Sequence, residues 1–235
     1  MSTDRIEEQL VKQTIAFHGH WCPGLAIGIR AAEWALKEMG KAPDEEIVAV
    51  VETDMCGVDA IQYLTGCTFG KGNLIHKDYG KNAFTFYRRR DGKAARLVLR
   101  PTIYGDTGPL MRNLNQKMQT EGLSEEEEKT WKDARAAITK RIMELEVAEV
   151  FEFKAPESPV PKKARILASL TCQSCGEPVM ETRTRRFNDQ VLCHPLLRGL
   201  GKEVMSLLSV EVTMNESLQE GLKDVRSQCL LSKEW

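Results

Sequence analysis

Two histidines and a cysteine crowd into one short stretch, Phe17-His18-Gly19-His20-Trp21-Cys22, immediately before a proline. Pro23 has a fixed φ and no N–H, which suits the first turn of a helix and little else inside one. The stretch therefore predicts a helix that begins at Pro23, with Cys22 as its N-cap. A thiol there faces the positive end of the helix dipole and free backbone N–H groups, which favours the thiolate.

This combination of side chains points to metal or thiol chemistry. Imidazole and thiolate together bind zinc, nickel or iron, whereas the same thiolate without a metal is a nucleophile or redox group. The alternative is a buried loop whose histidines only hydrogen-bond to backbone. Two histidines and a helix-capping Cys22 within five residues favour the functional interpretation, with Cys22 as the candidate catalytic residue.

A second cysteine repeats this arrangement. The run Ile47-Val48-Ala49-Val50-Val51 is typical of a covered strand, and it leads into Glu52-Thr53-Asp54-Met55-Cys56-Gly57. Thr53 or Asp54 can cap a helix that follows, which puts Cys56 near a helix N-terminus as well.

A glycine-rich stretch, residues 65–74, follows that helix. Its glycines expose backbone N–H groups that could hold an anion, but it lacks the Walker A spacing. A flexible turn around a packed Cys67 is an equally good interpretation. Lys71 and Asn73 are the candidates for holding an anionic or carbonyl group.

The remaining patterns divide the chain into domains. Residues 83–90 and 94–100 predict a hairpin through Asp91-Gly92, residues 101–115 a mixed loop and turn, and Ser124 with Glu127 a capping box that opens a helix to about residue 146. Prolines at 156, 159 and 161 mark a linker. We therefore expect a core domain at 1–152, a linker at 153–165, a finger-like domain at 166–200 and a helical tail at 201–235.

The finger prediction rests on three cysteines. Cys172 and Cys175 form a Cys-x-x-Cys pair, and Cys193 follows at a predicted helix start, the layout of a zinc ribbon or treble-clef finger. A complete site would have a cysteine at 196, where this chain has Leu196. His194 is awkwardly close to Cys193 for a shared ion, and Cys229 is interpreted first as a core residue and second as a distant ligand.

Charge and hydropathy limit the partners. A net charge of −1 gives no general attraction to nucleic acid or anionic membranes, and the longest apolar run is far too short to span a bilayer. The odd number of cysteines, seven, argues for metal or reactive thiols in a reducing compartment instead of a disulfide framework. We expect a soluble cytoplasmic protein without membrane or nucleic-acid partners; the arginines at 183, 185 and 186 are interpreted as a solvated face.

Four motifs in order resemble the FmdE family of formylmethanofuran dehydrogenase proteins over roughly residues 12–150. They are His18-Gly19-His20-Trp21-Cys22-Pro23-Gly24-Leu25-Ala26-Ile27-Gly28, Glu52-Thr53-Asp54-Met55-Cys56, Asp59-Ala60-Ile61-Gln62 and Thr65-Gly66-Cys67-Thr68-Phe69-Gly70-Lys71-Gly72-Asn73-Leu74. The resemblance implies an α+β core domain with helices on a mainly antiparallel sheet, a site built from the His-x-Cys loop and later cysteines, a homodimer, and a link to anaerobic redox or one-carbon metabolism. Residues 172–193 are similar to the finger found in part of this family and to TraR/DksA-type zinc fingers.

These observations give one leading hypothesis and two alternatives. The leading one is a metal-dependent redox or carbon-metabolism protein, with an oxidoreductase or oxidoreductase subunit as the candidate enzyme class. Its core would bind zinc, nickel or iron through His20, Cys22 and Cys56, with Cys67 or His18 completing or flanking the ligands. The second is an accessory module that docks on a larger oxidoreductase through its zinc finger. The third is metal-free thiol chemistry at Cys22.

Overall fold

The computed structural model describes residues 5–41, 44–187 and 189–194. The chain divides into two compact units, residues 1–164 and residues 165–235. Leu196, Cys229 and the predicted helical tail at 201–235 lie outside the described residues.

The helices of unit 1 lie both before and after the hairpin around Asp91-Gly92 in the sequence. They are α1 (Glu8–His18), α2 (Pro23–Glu38), α3 (Gly57–Thr65), α4 (Thr107–Thr120), α5 (Glu125–Glu144) and the short α6 (Val147–Val150), with a 3-10 turn at Pro101–Tyr104. The Ser124–Glu127 capping box is present at the start of α5, as its pattern predicts.

Helix α4 corrects the prediction of a loop and turn over residues 101–115. Gly108 and Pro109 resemble turn residues in the sequence, but both lie in the first turn, where a missing N–H costs the helix nothing. Met111 and Leu114 then bury one face of the helix. The helix is stabilised by tertiary packing of that face, which cannot be predicted from the local sequence.

The strands of unit 1 form one mixed sheet that is mainly antiparallel, as expected. They are β1 (Ile47–Val51), β2 (Leu74–His76), β3 (Ala83–Arg88), β4 (Ala94–Leu99) and β5 (Phe151–Lys154). Within the described residues the order is β2-β1-β3-β4-β5, and only β1 and β2 run parallel. All residues of β1 are buried, which agrees with its uninterrupted apolar sequence.

The main core lies between this sheet and helices α2 and α5. Ala31 and Ala35 of α2 and Ile138 of α5 are buried in one cluster with Phe84 and Phe86 of β3. Helix α2 is buried along most of its length, so it forms the centre of the helical layer.

Helices α2 and α3 meet through glycine. A Cβ on Gly28 would collide with the carbonyl oxygen and Cα of Gly57, and a Cβ on Gly57 would lie 2.9 Å from the carbonyl oxygen of Gly24. The two backbones therefore touch directly, and this contact brings the N-termini of both helices together.

The predicted linker at 153–165 lies almost wholly within unit 1. Residues 153 and 154 belong to β5, and the following segment is tied to the sheet by hydrogen bonds. Tyr87 Oη donates to the carbonyl oxygen of Ser158 at 3.0 Å, and Arg89 Nη1 donates to that of Pro161 at 2.6 Å. Tyr87 is buried in one cluster with Val48 and Val50, on the sheet face opposite the helices, so its hydrogen bond attaches the segment to that face.

In unit 2 the described residues form two antiparallel hairpins. The first joins β6 (Ser169–Thr171) to β7 (Pro178–Met180), and the second joins β8 (Thr184–Phe187) to β9 (Gln190–Cys193). In the described ranges of both units, no helix has the length and apolar character needed to cross a bilayer.

Candidate metal centre

Four side chains from two distant segments converge in unit 1. One ligand atom from each of His18, His20, Cys22 and Cys56 lies within 4.8 Å of every other. The structure thus brings together the three predicted ligands, His20, Cys22 and Cys56, and adds His18 to them.

Cys22 takes the position that Pro23 predicts. It is the N-cap of α2, with extended backbone angles, and Pro23 occupies the first turn. Its Sγ accepts a hydrogen bond from the N–H of Leu25 at 3.4 Å. The sulfur is therefore held at the positive end of a 16-residue helix that is itself fixed by burial.

Cys56 approaches from the other helix. It caps α3 and lies so close to α2 that its Cβ would be 3.2 Å from a Cβ on Gly24. Burial raises the pKa of the Cys56 thiol, and the neighbouring Cys22 sulfur raises it further because two thiolates repel. A bound cation would relieve this repulsion and favour both thiolates.

His18 has the contacts expected of an oriented metal ligand. Its Nδ1 lies 2.7 Å from Oδ2 of Asp59, and a carboxylate can only accept, so Nδ1 carries the proton. Its Nε2 is buried and has no hydrogen-bond partner. A buried, unpartnered nitrogen beside two thiols, with a carboxylate behind the ring, fits a metal–histidine–carboxylate arrangement.

The donor set itself fits one ion. Two thiolates and two imidazoles are a usual tetrahedral set for zinc, and softer divalent transition metals use the same atoms. The described residues thus offer a complete set of nearest ligands without any contribution from Cys67.

A cavity of about 280 Å³ opens beside the two cysteines. Cys22 and Cys56 line it together with side chains from the residue before β3, the 3-10 turn, α4 and α5; these include Asn82, Tyr104, Met111, Asn115, Arg135 and Ile138. Burial raises the pKa of Tyr104 in this wall. Small molecules can therefore reach the sulfur side of the cluster.

Lys71, Asn73 and Cys67 lie elsewhere. Asn73 is fully buried; its Oδ1 accepts from Thr68 N–H at 2.9 Å, and its Nδ2 donates to the carbonyl oxygen of Ile47 at 3.0 Å. Cys67 Sγ points to the same carbonyl at 3.4 Å. Ile47 begins β1, whereas Cys56 follows its far end.

The glycine-rich stretch is thus remote from the cluster. Four residue steps of an extended strand span roughly 13 Å, so β1 separates the two regions. Asn73 uses its amide to hold its own loop, and Lys71 interacts electrostatically with Cys67. The suggested ligand-binding roles of Lys71 and Asn73 gain no support from this placement.

Unit 2 contains a second group of thiols. Sγ atoms of Cys172, Cys175 and Cys193 lie within 4.8 Å of one another. Backbone N–H groups, first that of Cys175 and then that of Ser174, lower the pKa of Cys172 to about 6. His194 Nε2 is buried without a partner but does not join the three sulfurs, so no fourth ligand is identified among the described residues.

Comparisons with known proteins identify relatives of this chain. The chain is 31% identical over 185 residues to an Archaeoglobus fulgidus protein described as a "probable S-adenosyl-L-methionine-binding protein". The match covers 75% of this chain and 50% of the relative, so the chain spans about half the length of that protein.

A solved structure gives a broader match. It is the crystal structure of an FmdE-like protein of the tungsten formylmethanofuran dehydrogenase type from Syntrophus aciditrophicus, with 26% sequence identity and a TM-score of 0.54. The match covers 82% of this chain and 92% of that one.

The family match includes every residue of the core cluster. The model of the family described as "FmdE, Molybdenum formylmethanofuran dehydrogenase operon" matches residues 17–152, more than half of the chain. The chain belongs to the FmdE family.

Proposed function

We propose that unit 1 binds a single transition-metal ion through His18, His20, Cys22 and Cys56, and that this ion serves redox or one-carbon chemistry of the kind associated with FmdE proteins. The observation that carries the proposal is the convergence of four ligand atoms within 4.8 Å, with the buried Nε2 of His18 left unpartnered. Zinc suits two sulfurs and two nitrogens best, and iron and nickel are the alternatives.

Each part of the site has a distinct task in this proposal. Asp59 holds the proton on Nδ1 of His18 and so keeps Nε2 available as a ligand. The N-terminus of α2 holds the sulfur of Cys22 in place through the N–H of Leu25. A metal held by these four ligands could supply Lewis acidity by accepting a fifth ligand, and the cavity beside the cysteines would admit the molecule on which it acts.

The size of the cavity narrows the class of ligand. About 280 Å³ is close to the lower limit for small-molecule pockets. A nucleoside with an amino-acid tail, such as the S-adenosylmethionine named for the A. fulgidus relative, is too large to be enclosed there. A ligand much smaller than a nucleotide fits the space.

Element-resolved metal analysis of the full chain, purified without oxygen, tests the proposal. Cys22→Ala and Cys56→Ser should each lose one metal ion per chain relative to the wild type. Cys67→Ser is the matched control, because Cys67 is a buried thiol of the same unit outside the cluster. Cys175→Ser measures the separate contribution of unit 2.

Two results would contradict the proposal. One is an equal metal content in the wild type and in both cluster variants. The other is rapid alkylation of Cys22 by iodoacetamide at neutral pH, without chelator, in protein that carries no metal at the cluster; that result would favour metal-free thiol chemistry.

We infer a second function for unit 2. We propose that it is a zinc-stabilised docking module, used first to pair two copies of the chain and then to contact a larger oxidoreductase. Leu170 on β6, Met180 on β7 and Phe187 on β8 support this, because all three apolar side chains are exposed. Light scattering should give a dimer for the wild type and a monomer for Leu170→Ser/Met180→Ser; the same mass for both proteins would contradict the docking role.

A further inference from the structure

The cavity beside Cys22 and Cys56 has a positive character that the metal proposal does not use. Arg135 of α5 lines it, and no aspartate or glutamate does so among the described residues. Within that same part of the chain, no carboxylate pairs with Arg135. A cationic group that faces an acid-free cavity favours a negatively charged ligand.

Trp131 contacts two of the polar side chains that line the cavity, Arg135 and Asn115. The guanidinium of Arg135 lies over the Trp131 ring, 4.5 Å from its centroid, and the indole N–H donates to Oδ1 of Asn115 at 2.8 Å. Because an indole nitrogen can only donate, Oδ1 is fixed as the acceptor, and the amide NH₂ of Asn115 remains a donor. One aromatic ring thus orients a cation and a neutral donor at the same end of the cavity.

Part of the lining is apolar. Ile27 of α2, Met111 of α4 and Ile138 of α5 line the cavity, and all three side chains are buried. An inorganic anion keeps polar surface on every side and gains nothing from such a wall, whereas an organic acid with a short hydrocarbon body buries that body there.

We propose that this cavity binds a small organic monocarboxylate, with the carboxylate on Arg135 and Asn115 and the carbon body directed towards Cys22 and Cys56. The planar guanidinium matches the two oxygens of a carboxylate. At about 30 Å³ for each water molecule, 280 Å³ holds on the order of nine waters, which sets the size of the ligand. This inference names the class of ligand for the proposed metal site. It rests on the proposed function only in directing the carbon body of the ligand towards Cys22 and Cys56.

Calorimetric titration of the full chain tests the inference with butyrate as the probe. Butyramide has the same shape without the charge, and inorganic phosphate has the charge without the hydrocarbon. Butyrate should bind at least about tenfold more tightly than butyramide, since a hydrogen bond to a charged group is lost in the amide. Phosphate should bind more weakly than butyrate.

Substitutions at Arg135 identify the recognition group. Arg135→Gln should weaken butyrate about tenfold or more, and Arg135→Lys should retain part of the affinity because it keeps the charge without the fork. Arg141→Gln is the matched control: it lies on the same helix, is exposed and does not line the cavity. If Arg135→Gln fails to fold, the affinity of Arg135→Lys for butyrate and the affinities of the wild type for the three probes still test the inference.

The inference is overturned by equal affinity for butyrate and butyramide, by tighter binding of phosphate, by unchanged affinity in a folded Arg135→Gln, or by no binding of butyrate. Its failure is separable from that of the metal site. If metal content depends on Cys22 but butyrate does not bind, only the carboxylate inference is wrong. If butyrate binding depends on Arg135 but metal content is unchanged by substitution of Cys22 and Cys56, only the metal proposal is wrong.

Discussion

At the scale of single residues, Asp59 decides which nitrogen of His18 faces the cluster. We predict that Asp59→Ala lowers the affinity of the core site for zinc by about 10- to 100-fold, the usual cost of losing the partner of a metal-binding histidine. The reason is that His18 loses the acceptor for its Nδ1 proton, 2.7 Å away. Competition with a chromophoric chelator measures the affinity.

Asp54→Ala is the control for that change. Asp54 is exposed, lies two residues before Cys56 and contributes no ligand atom to the cluster. Its substitution removes the same charge near the same thiol and should leave zinc affinity within about a factor of two, as expected for an exposed site. Equal losses of zinc affinity in the two variants would show that the negative charge near the cluster matters and the orientation of His18 does not.

The sequence predicts most of this residue set. Pro23 places Cys22, and the end of a buried strand places Cys56, because both depend on local backbone rules. The sequence does not choose between His18 and Cys67 as the fourth ligand. That choice depends on which end of β1 each residue approaches, a property of the packed sheet that local sequence does not contain. The role of Asp59 is also absent from the sequence prediction, and an acid in the first turn of the cysteine-capped helix is the one available signal.

At the scale of elements, the contact between α2 and α3 builds the site. We predict that Gly28→Ala destabilises the protein by about 3 kcal/mol or more, because the new methyl group collides with backbone atoms of Gly57 that cannot move aside singly. The helices would have to separate, and Cys22 and Cys56 cap them. Chemical denaturation gives the free energy of unfolding, and metal analysis shows whether the site survives.

Gly70→Ala is the matched control, since a Cβ there meets nothing within 4 Å. Its free energy of unfolding should stay within about 0.5 kcal/mol of the wild type. Full stability and full metal content in Gly28→Ala would contradict the direct backbone contact.

A buried ion pair fixes the segment between β1 and Cys56. Glu52 follows β1 directly, and its carboxylate accepts from Arg96 of β4 through two hydrogen bonds of 2.6 and 2.7 Å. Both side chains are buried, and the hydrogen bonds from Arg96 lower the pKa of Glu52. The pair therefore joins the end of β1 to β4 across β3.

We predict that Glu52→Gln lowers the free energy of unfolding at pH 7 by about 3 kcal/mol, because Arg96 is left buried without its counter-charge. A carboxylate whose pKa is lowered on folding stabilises the protein fully above its unfolded pKa, near 4.3, and loses that effect as pH falls through the lower folded value. The difference between wild type and variant should therefore shrink below about pH 4. Denaturation series at several pH values measure it, and a difference independent of pH would contradict the account.

Element boundaries show where sequence reasoning succeeds. Strand β1 and the hairpin around Asp91-Gly92 have strong local signals, and the structure confirms both. Helix α4 does not, because its apolar face is narrow and its first turn contains glycine and proline. The attachment of residues 155–164 to the sheet depends on hydrogen bonds from Tyr87 and Arg89, which are distant in sequence. The prolines of the segment therefore predict an extended chain without showing where it lies.

At the scale of the whole molecule, the described residues contain two groups of side chains that could hold a metal ion, one in each unit. Total metal content alone cannot assign an ion to either group. The identities of the ligands can, because the core group has two sulfurs and two nitrogens, whereas the described part of the finger offers three sulfurs.

X-ray absorption at the zinc edge of the full-length Cys172→Ser/Cys175→Ser variant, loaded with one equivalent of zinc, therefore tests the central claim most directly. Removal of the two finger thiols leaves the core cluster as the strongest site. The account predicts two sulfur ligands at about 2.3 Å and two imidazole nitrogens at about 2.0 Å. A spectrum with only oxygen and nitrogen neighbours, or one that Cys56→Ser leaves unchanged, would contradict it.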